Sequence, residues 1–248
     1  MDMEQARFNM IEQQIRPWNV LDAHVLQLLE VVRREYFVPL AHKALAFMDM
    51  EIPLREGGAR GQTMLAPRVE ARLLQDANVQ KHEKVLEIGA GSGFMAALLA
   101  HRAQRVVTVE IEPELARLAR ANLQKAGIHN AEVLELDAAK GVKNDGPFDV
   151  VVLSGSVAEV PQVLLDQVKV GGRLVGIVGE DPAMSATVMT RTGESTWTTT
   201  NYCYFHSFTQ LNSSFRWLYT VAESSFDIHH FEYAVPTLDC LSTTALFF

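Results

Sequence analysis

Apolar positions in this chain change their spacing several times. Up to about residue 36 they recur at helical intervals: Phe8, Ile11 and Ile15, then Val25, Leu26, Leu29 and Val32. Pro17 is expected to end the first of these helices, Asp22 to cap the second, and Phe37-Val38-Pro39 to stop it. From 47 to 67 the period is lost in a stretch rich in glycine and proline, read as an irregular loop with a functional use. Helix resumes at Pro67, a favourable first helical residue, and runs through Val69, Leu73 and Leu74 to about Ala77. Short apolar runs then alternate with amphipathic ones. Strands are expected over 84–88, 105–109, 131–136, 149–153 and 172–178, and helices over about 94–102, 113–126 and 159–168. Beyond Gly179, strand-like runs over 184–192 and 195–204 flank Gly193-Glu194, as in an antiparallel pair.

This alternation predicts an α/β fold: a Rossmann-like, doubly wound, mostly parallel sheet with an antiparallel edge, preceded by N-terminal helices and followed by a C-terminal extension. The expected division is one domain over 1–200, with helices and loop at 1–78 and the core at 79–200, then an extension at 201–248. In such sheets the ligand binds at the carboxyl ends of the strands. Gly89, Glu110, Asp137 and Ser154 all fall at such ends in this reading.

The chemistry concentrates at Val85-Leu86-Glu87-Ile88-Gly89-Ala90-Gly91-Ser92-Gly93-Phe94: a buried strand, a glycine turn, and the start of a helix whose free N–H groups would face a ligand. A glycine turn also occurs in NAD sites and in plain tight turns. Here the spacing is Gly-x-Gly-x-Gly, one residue short of the dinucleotide pattern. Glu87 before the turn would repel a pyrophosphate and attract an ammonium or sulfonium, and Glu110 at the end of the next strand is placed for a ribose. Together these favour S-adenosylmethionine over NAD. The cofactor-binding set is then Glu87, Gly89, Ala90, Gly91 and Gly93 for the methionine part, Glu110 and Ile111 for the ribose, and Asp137 and Ala138 for the adenine, with Ser154 and Ser156 as nearby hydroxyls. For Asp137 a helix or turn cap is the alternative.

Composition narrows the classes. A length of 248 residues with 48% hydrophobic residues suits one α/β domain with additions. The net charge of −8 argues against a general nucleic-acid partner. No apolar run reaches membrane-spanning length, and the N-terminus lacks a basic-then-apolar export pattern, so a cytoplasmic setting is the expectation. The region 201–248 holds 12 of the 20 aromatic residues and neither lysine nor glycine, which marks it as different from the core. His206, His229, His230, Cys203 and Cys240 lie there, without a spacing that matches a metal pattern. Tail packing, an oligomer contact or a poorly ordered segment is the simpler reading.

Taken with Phe37-Val38-Pro39, the segment 49–53, Gly61-Gln62-Thr63, Val109-Glu110, Pro147-Phe148-Asp149 and Gly171-Gly172-Arg173-Leu174-Val175, the chain resembles the protein-L-isoaspartate O-methyltransferase family over roughly residues 5–200. The resemblance implies methyl transfer from S-adenosylmethionine to the carboxylate of isoaspartyl residues in damaged proteins. It also implies that Thr63 and Leu65 face the transferred methyl, with the N-terminal helices part of the substrate-side cover. The family's loop usually reads Gly-Gln-Thr-Ile-Ser-x-Pro, whereas this chain carries Leu65 in the serine's place. That departure keeps open a methyltransferase of the same fold acting on a small molecule. The aromatic extension likewise keeps open a non-catalytic S-adenosylmethionine-binding protein.

Overall fold

The computed structural model of the chain describes residues 2–55, 62–142, 146–180 and 183–205, with residues 203–205 described by backbone alone. Helix α1 (Met3–Met10) starts at Asp2, whose carboxylate accepts from the N–H groups of Glu4 and Gln5 at 3.0 and 3.4 Å. The chain then continues through a π turn (Ile11–Ile15) and a 3₁₀ turn (Arg16–Trp18), and leaves the helix at Asn19 with φ +58°. Pro17 thus stands in the closing turn: the regular ladder stops at Ile15, and the 3₁₀ turn that holds the proline ends the helical segment at Trp18. Helix α2 (Ala23–Val31) is capped by Asp22 as expected, through the N–H groups of His24 and Val25 at 2.9 and 3.0 Å.

The described parts of the stretch 47–67 hold more regular structure than its composition predicts. Two short strands, β1 (Ile52–Pro53) and β2 (Thr63–Met64), pair antiparallel, Ile52 opposite Met64. Helix α3 (Pro67–Ala77) follows and is buried over most of its circumference, its charged residues Glu70 and Arg72 included. Periodicity identifies such a helix but not which of its charges lie inside.

The core contains β3 (Lys84–Ile88), α4 (Phe94–Ala100), β4 (Arg105–Glu110), α5 (Pro113–Lys125), β5 (Ala131–Glu135), β6 (Phe148–Val157), α6 (Gln162–Leu165), β7 (Val168–Glu180), β8 (Ala183–Arg191) and β9 (Trp197–Phe205). Among the described residues these strands form one seven-stranded sheet in the order β5-β4-β3-β6-β7-β8-β9. It is parallel from β5 through β7, and β8 and β9 add antiparallel at the edge. Alternate residues of the central strands face two separate cores. Val85, Val106, Val150 and Val152 pack on the side of the N-terminal helices, and Leu86, Val107, Val151 and Leu153 on the other. This two-sided burial explains the unbroken apolar runs and fixes the Rossmann-like, doubly wound fold.

Several expectations shift in extent, among them the strand expected over 172–178, which is β7 over Val168–Glu180. Helix α6 occupies only Gln162–Leu165, because Pro161 precedes it and the chain is already in β7 by Val168. Helix α4 stops at Ala100. Strand β6 runs on to Val157 through an irregular pairing with β7 between Val152 and Ser156, so Ser154 lies within the strand rather than after it. Strand β9 runs across residue 200, and the change in composition at Asn201 thus falls inside an element. Gly57, Gly58 and Gly61, the side chain of Cys203, and His206, His229, His230 and Cys240 lie outside the described residues.

Candidate active site

Strand β3 delivers the chain to the glycine turn. Gly89, Gly91 and Gly93 have φ of +94°, +51° and +83°, a region costly for residues with a Cβ. The N–H groups of Gly89 and Ala90 both donate to the Val109 carbonyl of β4, at 2.9 and 3.1 Å, and Gly93 N–H closes the turn on Ala90 at 2.7 Å. A Cβ on Gly93 would stand 3.2 Å from the Ala119 carbonyl oxygen of α5, so glycine here also lets two elements approach. Ser92 holds the turn at both ends: its hydroxyl accepts from Phe94 N–H at 3.3 Å and its carbonyl from the Asn122 amide at 2.9 Å.

Glu110 ends β4 beside this turn and organises it. One carboxylate oxygen accepts from Gly91 N–H at 2.9 Å, the other from Ile111 and Glu112 N–H at 3.0 and 3.1 Å. A carboxylate has about four acceptor positions, so capacity remains for a ligand hydroxyl. Glu87 is fully buried on β3. Its Oε1 accepts from the Ser154 hydroxyl at 2.7 Å, while its Oε2 has no hydrogen-bond partner. Burial pushes this carboxyl up to about 8, against the nearby Thr108 and Ser154 hydroxyls, which oppose the shift, and the charges of Glu70 and Glu110 add to it.

Asp137 follows β5. Its carboxylate accepts from Ala139 N–H at 3.0 Å and caps the 3₁₀ turn Ala138–Lys140, with the Lys140 ammonium 3.7 Å away. The capping alternative is thus the contact observed. Ala138 is buried, and so is Ser156, within β6. The sheet order sets β5, β4, β3 and β6 side by side, so Asp137, Glu110, Glu87 with the turn, and Ser154 belong to one end of four neighbouring parallel strands.

The segment expected to face the transferred methyl, called the acceptor loop below, lies on β2 and just beyond it. The Thr63 hydroxyl donates to Glu51 Oε2 at 2.9 Å. Leu65 is buried in the core on the helical side, and its carbonyl accepts from Arg34 Nη2 at 2.6 Å. Next to β1, Leu54 reaches the turn: a Cβ on Gly91 would stand 3.2 Å from its Cδ1. Arg55 spans to the start of α5, donating to Glu114 at 2.6 Å with Glu112 at 3.6 Å. Arg34, Glu51, Leu54 and Glu70 are residues that sequence reasoning passes over. Each lies in a segment whose spacing reads only as packing or loop, and contacts made across dozens of residues leave no local trace.

These residues fit S-adenosylmethionine. An unpartnered buried carboxylate oxygen on Glu87 suits an ammonium, and Glu110 beside the turn suits a ribose. Among the described residues no group of three or more His, Cys, Asp or Glu side chains is arranged to hold a metal ion, and no helix is long and apolar enough to cross a membrane.

Comparison with known proteins agrees. The family model described as protein-L-isoaspartate (D-aspartate) O-methyltransferase matches residues 5–212. A protein-L-isoaspartate O-methyltransferase of Methanoculleus marisnigri is 40% identical over 173 residues, 70% of this chain and 77% of that one. One from Gloeobacter violaceus is 39% identical over 186 residues, covering 74% and 88%. Among solved structures, a protein-L-isoaspartate O-methyltransferase superposes with a TM-score of 0.68 at 22% identity, over 85% of this chain and 66% of that one. A Plasmodium falciparum protein described as a putative member, in complex with S-adenosyl-L-homocysteine, gives 0.63 at 17%, over 83% and 98%. At these identities the structures speak for the fold, and the sequence matches speak for the family. The chain belongs to the protein-L-isoaspartate (D-aspartate) O-methyltransferase family, whose cofactor is S-adenosylmethionine.

Proposed function

We propose that this protein methylates the carboxylate of isoaspartyl residues in other proteins. The observation that carries the reading is the family match over residues 5–212, which takes in the glycine turn and the acceptor loop together. Bound S-adenosylmethionine supplies an electrophilic methyl on sulfonium: the carboxylate oxygen bonds to the methyl carbon as the carbon–sulfur bond breaks, and its electron pair leaves with the neutral thioether.

The residues have these roles in the proposal. Glu87 holds the ammonium, steadied by Ser154. Gly89, Ala90, Gly91 and Gly93 admit the methionine part close to the backbone. Glu110 and Ile111 receive the ribose, and Ala138 and Asp137 border the adenine. Thr63, oriented by Glu51, and Leu65 flank the transferred methyl. An isoaspartyl carboxylate is already ionised at neutral pH, so the site needs no strong base, and catalysis rests on alignment and exclusion of water. This is why leucine in place of the usual serine is compatible with transfer. The product ester is activated towards succinimide formation, from which normal aspartate can be regained.

The test is the bond made. With methyl-labelled S-adenosylmethionine and a protein aged to accumulate isoaspartate, label should enter as a methyl ester, released as methanol by mild base. Label that enters and resists base, on nitrogen or as an ether, would overturn the reading.

A further inference from the structure

Arg34 makes contacts in four directions from a nearly water-free position. It lies in the 3₁₀ turn Arg34–Tyr36, and its side chain is 2% exposed. Nε donates to the Ala46 carbonyl at 2.8 Å, Nη2 donates to the Leu65 carbonyl at 2.6 Å, and Nη1 pairs with Glu70 of α3, itself buried. The guanidinium lies over the Phe94 ring, 5.1 Å from its centroid, and Phe37 meets the same ring edge-on at 5.4 Å. An ion pair removed from water is not an economical way to fill space. An apolar pair of similar volume often serves stability as well, and what the charged pair adds is a definite arrangement. The planar guanidinium suits this task, because its fixed donors can serve several acceptors at once where an ammonium is a point charge.

Two of the contacts fall on opposite halves of the site. Leu65 belongs to the acceptor loop. Phe94 is the residue directly after Gly93 of the cofactor turn. We propose that Arg34, braced by Glu70, is a positioning residue that holds the acceptor loop against the cofactor turn, so that the separation of acceptor and methyl depends on this side chain beyond what the Leu54 and Arg55 contacts supply. It acts through the Leu65 carbonyl and the Phe94 ring and touches neither reactant. Only the kinetic readout of the proposal rests on the isoaspartyl reading.

The test uses the full chain and the double variant Arg34→Met with Glu70→Leu, which removes both charges and keeps the volume, so that neither partner is left buried and alone. Hydrogen exchange is followed with and without S-adenosylhomocysteine. In the wild type the ligand should slow exchange both in α4 and at residues 62–66. In the double variant the slowing should persist in α4 and vanish at 62–66, with ligand affinity changed by no more than a few fold. With an isoaspartyl peptide, kcat should fall by about thirtyfold or more while KM stays close to that of the wild type, since misplacement by about an ångström costs on the order of a hundredfold. Arg34→Lys retains the charge opposite Glu70 but cannot serve both carbonyls, and should fold like the wild type without wild-type kcat. A double variant that keeps ligand-dependent slowing at 62–66 and full kcat overturns the proposal, as does a wild type in which the loop never responds to the ligand. Slowing at both places in the wild type, lost at the loop in the variant, upholds the brace even if no isoaspartyl peptide is methylated; that result would overturn only the reading of the acceptor.

Discussion

Around the glycine turn, position is set mainly by backbone N–H groups, collected by backbone carbonyls and by the one carboxylate of Glu110. Gly89 and Ala90 donate to Val109, Gly93 to Ala90, and Glu110 collects three N–H groups from residues next to or facing it. Around the acceptor loop, position is set by side chains that come from far away. Arg34 reaches Leu65 and Glu70, Gln14 donates to the Phe47 carbonyl at 3.0 Å, and Arg68 pairs with Asp49 while stacking on Trp18 at 4.5 Å. The turn needs particular residue types at fixed spacing, so its signature is short and local. The loop needs only that some donor arrive from somewhere, so its signature is dispersed. A cofactor held by backbone can be kept while the acceptor side is rebuilt, and Leu65 stands on the side that can change.

The comparison can be tested by removing one group at a time. The largest effect should come from Glu110→Ala, which leaves the N–H groups of Gly91, Ile111 and Glu112 without their acceptor. Cofactor affinity measured by calorimetry should fall by roughly a hundredfold, about 3 kcal/mol. An unchanged affinity would remove Glu110 from the cofactor half.

Leu65→Ser probes the other half. It truncates a buried leucine, so chemical denaturation should show a loss of about 2–3 kcal/mol, while cofactor affinity stays near that of the wild type. A large loss of cofactor affinity would mean the two halves are not separable in this way.

Glu87 gives a pH test. Its carboxyl is raised from 4.5 to about 8, so between those values the folded chain holds a proton that the unfolded chain has released. Stability is therefore undiminished below about pH 4.5, falls as pH rises through the window, and levels off above about pH 8. Glu87→Gln should melt near the wild type at pH 4.5 and above it at pH 8. An ammonium selects the carboxylate form, so affinity for S-adenosylhomocysteine should rise between about pH 6 and 8, towards tenfold per unit, and Glu87→Gln should flatten that slope. A wild-type affinity independent of pH would contradict the ammonium role.

The smallest effect should be that of Thr63→Val, which removes one hydroxyl and its bond to Glu51. A stability change of about 1 kcal/mol and a few-fold change in kcat are expected, read by denaturation and steady-state kinetics.

What could be read in advance follows the same division. The core strands and the α/β alternation were legible because strands buried on both faces give unbroken apolar runs, and the intervening helices give amphipathic ones. Glu87 and Glu110 were legible as candidates because one directly precedes the glycine turn and the other ends the next apolar strand. Asp137 was placed in the same way, at the end of a strand, but that position cannot distinguish a ligand from a cap, and its visible partner is Ala139 N–H. Pro17 was legible as the end of the first helical segment, because a proline cannot continue the ladder, and the segment closes at Trp18. The strands β1 and β2 were hidden by their length of two residues each. Arg34 and Glu70 were hidden by their chemistry, since each reads as a solvated charge until its partner is known.

The most direct test of the account is methyl transfer to an isoaspartyl peptide measured beside its normal aspartyl twin. The account predicts transfer to the isoaspartyl peptide and little or none to the twin. Cofactor binding without transfer to either peptide would contradict it, leaving the cofactor half standing and the acceptor half to be reassigned.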